Sequence, residues 1–192
     1  MSSIKLKHAS GNAVSIAAPE SNPASDRTLY VPSNANGTIL TNTTAGCILQ
    51  VVKGATLSSR VSTTSTTYAD TGTTVNITPS ATSSKIWVIA SGDTWINGTG
   101  YNAYGMLRLV KDSTELMEVY QAYDSENSSF AARLGQSHCM QILDSPSTTS
   151  QITYKVQYKL LSTNYSAQFY YPSKDEAGFY KNNQITVMEV AG

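Results

Sequence analysis

Residues Gln151–Leu160 read Gln-Ile-Thr-Tyr-Lys-Val-Gln-Tyr-Lys-Leu. Ile152, Tyr154, Val156, Tyr158 and Leu160 fall on one side, with Lys, Gln and Thr on the other. This is the period-2 pattern of a half-buried strand, and a helix cannot gather these side chains onto one face. A strand with one apolar side needs neighbours along both edges and a second layer against that side. The rest of the sequence must therefore supply more strands.

The stretch Leu57–Ser91 supplies them. It reads as a polar strand, a turn at Asp70-Thr71-Gly72, a second strand, a turn at Pro79-Ser80 and an apolar strand. Val75 and Ile77 alternate with Thr74, Asn76 and Thr78. Pro79 cannot donate to a ladder and ends that strand. Ile86-Trp87-Val88-Ile89-Ala90 is continuously apolar and short, and reads as a central strand covered on both faces.

Residues 46–192 continue in the same rhythm. Cys47–Thr56 reads as the first strand of the globular part. Asp93–Gly100 reads as a loop, with Asn97-Gly98 as its turn signal. Tyr104–Lys111 is a strand with Leu107 and Leu109 on one face, and Asp112-Ser113 turns the chain back. Glu115–Tyr123 fits a short helix or a strand, and the surrounding rhythm favours the strand. Ser137–Leu143, Ser166–Tyr171 and Asn183–Val190 complete the set. In the last of these, Ile185 and Val187 share a face with Glu189, while Met188 and Val190 sit opposite. Turn signals recur every 8–14 residues by this reading, and no amphipathic helix stands out. The fold class is all-β: an antiparallel β-sandwich or jelly roll.

Residues 1–45 are different. Ile4 and Leu6 alternate with Lys5 and Lys7, and Val14-Ser15-Ile16 and Leu29-Tyr30-Val31 are short apolar pieces among Gly, Asn and Pro. There is too little apolar side chain for a core. This part reads as an extended N-terminal arm that attaches to other proteins.

The balance of charges narrows the partners. Lys and Arg number 13 and so do Asp and Glu, giving a formal net charge of zero. Nucleic-acid binding needs a cationic excess, so no nucleic-acid partner is expected. About a quarter of the 192 residues are Ser or Thr, well above ordinary usage. A neutral, hydroxyl-rich surface gives little protection against self-association. The N-terminal Met-Ser-Ser-Ile-Lys-Leu-Lys-His has no apolar signal core, and no apolar run approaches a membrane span. Synthesis in a cytoplasm without membrane insertion is expected. Cys47 and Cys139 read as two buried thiols rather than a disulfide.

Chemistry is sparse. His138 and Cys139 are adjacent, so a strand points them to opposite faces and they cannot share a metal. Cys139 is expected inward and His138 partly exposed. Asp124 and Glu126 sit in a polar turn without the rest of a calcium loop. No Gly-x-Ser-x-Gly or phosphate loop occurs, and His8 and His138 are the only imidazoles. No catalytic residue, metal or cofactor is expected, and the chain reads as not an enzyme. Aromatic residues are the candidates for surface contact. Trp95, Tyr101 and Tyr104 flank the Gly/Asn loop, and Tyr170, Tyr171 and Tyr180 cluster with Tyr165, Phe169 and Phe179 near charged residues. Rings with polar tips suit saccharide or protein contact, although the same residues also suit core filling.

Two segments carry a family resemblance. Ile4–Ile16 with Asn22–Leu29 resembles the N-terminal segment of tail-fibre and other virion appendage proteins of marine tailed bacteriophages. Ser65–Gly72, Ile77–Ser80 and Ser84–Val88, with Ile185–Val190, resemble a β-sandwich module of the same phages. The resemblance implies a homotrimer on the virion surface; residues 1–45 are then expected to join it to other virion proteins, and the aromatic residues make a host surface glycan a candidate partner. It carries over no site residues. A capsid decoration or head-fibre protein, and a lectin-like module, are the alternatives.

Overall fold

The computed structural model describes residues 3–7, 9–11, 13–17, 45–55, 57–99, 102–124, 131–161, 167–171 and 182–192. The chain divides into two compact units, residues 1–39 and 40–192. In the first, β1 (Ser3–Lys7) and β2 (Ala13–Ala17) pair antiparallel, with Lys7 opposite Ala13. Gly11, at φ +101°, takes a conformation in the connection that a side chain would resist. The opening residues thus double back on themselves. The rest of the expected arm, residues 18–44, lies outside the described residues.

Among the described residues the second unit holds ten strands: β3 (Ile48–Lys53), β4 (Val61–Thr63), β5 (Ala69–Ile77), β6 (Lys85–Thr99), β7 (Asn102–Lys111), β8 (Thr114–Asp124), β9 (Ala131–Asp144), β10 (Ile152–Leu160), β11 (Gln168–Tyr171) and β12 (Gln184–Val190). Every pairing is antiparallel. One sheet runs β5-β10-β7-β8. The other runs β3-β12-β6-β11-β4, with β9 along the free edge of β6. The two sheets face each other across one core, so the fold is an all-β antiparallel sandwich.

Alternation builds that core. Ile152, Tyr154, Val156, Tyr158 and Leu160 of β10 all point inward and are buried. Leu107 and Leu109 of β7 flank them, and Val75 and Ile77 of β5 complete the layer. The opposing layer comes from Ile86, Val88, Ala90, Met140, Phe169, Ile185 and Val187. Phe169 lies so close to Gly105 that a Cβ there would stand 2.8 Å from its ring. The missing side chain lets the two sheets approach at this point. β8 forms as a strand and not a helix because it pairs with β7 throughout, from Asn102 opposite Asp124 to Lys111 opposite Thr114. Asp112, at φ 52°, makes the tight turn between them.

Three expectations fail in the middle of the chain. The Asp70–Gly72 segment is not a turn between strands but a bulge inside β5. Asp70 pairs with Gln157 and Thr74 with Lys155, so β5 spends two extra residues there. Gly72, at φ +88°, permits the kink. Because two residues are inserted, Thr71, Thr73, Val75 and Ile77 still face inward. The buried Thr71 hydroxyl donates to Val156 O at 2.8 Å and replaces a ladder bond that the bulge removes.

The Asp93–Gly100 segment is likewise not a loop through Thr99. It extends β6 to fifteen residues, with Asn97 and Gly98 opposite Arg133 and Ala132. The turn signal is overruled because β6 has a strand on each side along this half. β12 pairs with its first half and β11 with its second. Asn183 covers the gap at Asp93. Its Oδ1 accepts from Asp93 N at 3.0 Å and its Nδ2 donates to Asp93 O at 2.8 Å, so an amide side chain continues the ladder. Gly92 is needed beside it, since a Cβ would stand 2.5 Å from Asn183 Cγ.

Nor is Ile86–Ala90 covered on both faces. Ile86, Val88 and Ala90 are fully buried, but Trp87 is 39% exposed on the outer face. The continuous apolar run marks an apolar outer surface, not a second layer.

Candidate functional site

The four candidate aromatic residues within the described structure do not form one site. Trp95 of β6 and Tyr170 of β11 pair directly and lie on the outer face of the larger sheet. Their ring centroids are 5.5 Å apart at 36°. The Arg60 guanidinium covers both, 4.5 Å from the Tyr170 centroid and 5.8 Å from that of Trp95. Such cation–π contact holds a charge on an aromatic face at modest cost. Tyr170 OH donates to Gln168 Oε1, and Gln168 Nε2 donates to Ser62 Oγ at 3.0 Å. This cluster ties β4, β11 and β6 together, and the guanidinium takes ring face that a sugar would use.

Tyr104 lies elsewhere. It sits on β7, on the outer face of the smaller sheet, and stacks on Tyr120 with centroids 5.7 Å apart. Tyr171 is not a surface residue at all. It points inward from β11, is fully buried, and packs 5.6 Å from the His138 ring and 6.4 Å from Tyr158. Burial pushes its phenol up to about 12. The alternation of β11 decides this, because Phe169 and Tyr171 share the core face while Tyr170 stands opposite. Tyr101 and Tyr180, with Tyr165 and Phe179, lie outside the described residues.

His138 and Cys139 are reversed from their expected sides. His138 is buried and Cys139 exposed. Met140, fully buried, and Ile142, packed on the core, share His138's parity. The apolar weight of those two outranks the small thiol. Neither His138 ring nitrogen has a hydrogen-bond partner among the described residues. Burial lowers its pKa to about 4, so the ring is neutral in the fold. Cys47 is half-buried and both thiols are free. Asp124 ends β8, and Glu126 lies outside the described residues.

Polar side chains that the sequence did not single out hold the sandwich together. Glu189 is almost fully buried, and its carboxylate accepts from Ser80 N, Ser80 Oγ and Gln50 Nε2, each at 2.6 Å. Burial alone would raise its pKa, but the hydrogen bonds from Ser80 and Gln50 outweigh that and hold it at about 2. Its place beside Ile185 and Val187 in an alternating strand was the available signal. Asp144 joins the two sheets, taking Tyr154 OH at 2.7 Å and Lys111 Nζ at 2.9 Å. Tyr154 is shifted upward by burial and by that carboxylate.

The outer face of the smaller sheet carries a charged network. Lys155 meets Asp70 at 3.1 Å and Arg108 meets Glu115 at 3.1 Å. The Tyr68 ring lies between the Arg108 guanidinium, at 3.8 Å, and Lys159 Nζ, at 4.3 Å, and its hydroxyl donates to Glu118. No group of three His, Cys, Asp or Glu that could hold a metal occurs among the described residues. One hollow of about 220 Å³ lies between Leu49, Ser80–Ser84 and the C-terminal Ala191-Gly192. Another of about 230 Å³ lies between Val52–Ala55 and Thr74–Asn76. Both are below the usual range for small-molecule pockets, and Lys53 is the one charged side chain lining either.

No family model and no curated protein matches the chain. Among solved structures it is similar to an insecticidal delta-endotoxin from Bacillus thuringiensis, with 14% identity and TM-score 0.33, over 68% of this chain and 19% of the toxin. It is also similar to the infectious bursal disease virus particle, with 12% identity and TM-score 0.31, over 93% of this chain and 41% of the viral chain. A second structure of that virus, the Gt strain, gives 11% identity and TM-score 0.32, over 94% and 46%. The chain spans less than half the length of each of these proteins, and likeness at this level carries no functional argument.

Proposed function

We propose that this chain is a structural protein of a bacteriophage virion, a trimeric tail-fibre-type appendage on the particle surface. Residues 1–45 join it to other virion proteins, and the sandwich faces outward, where it can touch the host. The observation that carries this reading is how the polar groups are used. Glu189, Asn183, Thr71 and Asp144 are each hydrogen-bonded to the strands and turns around them, so these four polar groups secure the shape of the domain. A rigid scaffold of this kind suits an assembly component. The resemblance of residues 4–16, 22–29, 65–72, 77–80, 84–88 and 185–190 to phage appendage proteins supports the same reading.

Antibody-gold labelling of purified virions tests the reading. Label is expected on intact particles. Deleting residues 2–45 is expected to remove the chain from particles while circular dichroism still reports β structure. A chain found in the lysate but never on particles would overturn the virion assignment. Normal incorporation of the deletion would overturn the anchoring role of residues 1–45.

A further inference from the structure

The two outer faces of the sandwich differ in chemistry. The smaller sheet turns its Tyr68, Asp70, Arg108 and Lys155 network to solvent. The larger sheet turns out an apolar row instead. Val51 pairs with Met188, Met188 with Trp87, and Trp87 with Leu143, so one line of side chains crosses β3, β12, β6 and β9. Val51 is 58% exposed, Trp87 39% and Leu143 54%, with Ile48 at 56% on the same face. These are four of the six large apolar residues exposed among the described residues. Trp87 sits at the centre of the row, and a large aromatic at the middle of an apolar patch is the usual anchor of an interface.

Charge is scarce around it. Between Gly135 and Leu143 β9 turns no charged residue outward, and β12 turns out only Gln184, Thr186, Met188 and Val190. Lys53 and Lys85 flank the row, and Asp93 and the Arg60 guanidinium lie on the same face farther along β6. Nucleic acid or an anionic surface would call for a cationic field that this face lacks.

We propose that the outer face of the larger sheet is where one copy of this chain meets another. The inference rests on the assembly reading above and deepens it by naming the face. A chain of zero net charge brings no overall repulsion between copies, and the charges on this face stand around the apolar row rather than within it. The available area also fits. The six strands of the larger sheet differ in length, from three residues in β4 to fifteen in β6. At about 4.8 Å per strand and about 3.3 Å per residue, their whole face is on the order of 780 Å². A stable interface takes about 800 Å² from each partner. Three such faces turned toward one common axis give the closed trimer proposed above, each face being shared between its two neighbours.

The test is light scattering on the full chain, comparing wild type with the double variant Trp87→Lys/Leu143→Lys. Tyr120→Lys, at an exposed site on the opposite sheet, is the control. Wild type and Tyr120→Lys are expected at the same multiple of 20.6 kDa, and the double variant at 20.6 kDa itself. A double variant that keeps the wild-type mass overturns the face while leaving self-association standing. A wild type at 20.6 kDa across the concentration range overturns both. Should the double variant fail to fold, Cys139 gives a second readout, because its exposed thiol lies on the same face opposite Ser91. In a Cys47→Ser chain, maleimide labelling of Cys139 is expected to slow at least tenfold between dilute and concentrated protein. A rate independent of concentration overturns the proposal.

Discussion

Glu189 and His138 make the domain sensitive to acid in two separate windows. The Glu189 carboxyl is held at about 2 against an unfolded value near 4.5. Its contribution is therefore full above pH 4.5 and is lost as pH falls toward 2. Glu189→Gln places an amide against three donors and is expected to cost about 1–3 kcal/mol at pH 7. Urea unfolding at pH 7 and pH 3 should show that difference shrinking at the lower pH; an equal difference at both would contradict the assignment. His138 acts in the neighbouring window. Its folded pKa is about 4 and its unfolded value 6.5, so the unfolded chain takes up a proton first. Stability is full above pH 6.5 and falls as pH drops to about 4. His138→Leu removes this proton uptake, and the variant's unfolding free energy is expected to stay flat from pH 6.5 to 4.5. A wild-type slope retained in the variant would contradict it. Neither role stood out in the sequence. For His138 the parity of Met140 and Ile142 was the readable signal, and the small Cys139 was given weight that belonged to them.

Strand by strand, alternation was legible wherever apolar residues were dense. β10, β7 and β12 fell where their patterns placed them, with inward faces as expected. The failures came where a local signal met a long-range partner. Asp70-Thr71-Gly72 looks like a turn, and Gly72 does take a turn conformation, but β10 holds the residues on both sides in one strand. Asn97-Gly98 looks like a hairpin turn, yet β9 and β11 flank it. Pairing between strands distant in sequence cannot be read from five residues. Thr71 and Asn183 are the side chains that make these irregular places work. Thr71→Val leaves the Val156 carbonyl without its donor and is expected to cost about 1–3 kcal/mol, where Thr63→Val, in the short strand β4, costs less. Gly92→Ala drives a methyl group into Asn183 and is expected to cost about 1–3 kcal/mol. Pairing it with Asn183→Ala should relieve part of that loss, and strict additivity of the two in thermal melts would show that the contact is not the cause.

For the molecule as a whole, strand density, the even spacing of turns and the absence of helical periodicity were enough to read an antiparallel sandwich. The surface was harder to read. The apolar run Ile86–Ala90 was legible, but whether its second side met another layer or lay open depended on the positions of β3, β9 and β12. The aromatic candidates divided for the same reason: adjacent positions in a strand point to opposite sides, so Tyr171 went to the core and Tyr170 to the surface. The molecule is a scaffold in which Glu189, Asn183, Thr71 and Asp144 secure the shape, and the proposal puts another copy on its larger sheet. The solution mass of the full wild-type chain tests that most directly. A value near 62 kDa, about three times 20.6 kDa, is the expected result. A chain that stays at 20.6 kDa at every concentration would contradict it.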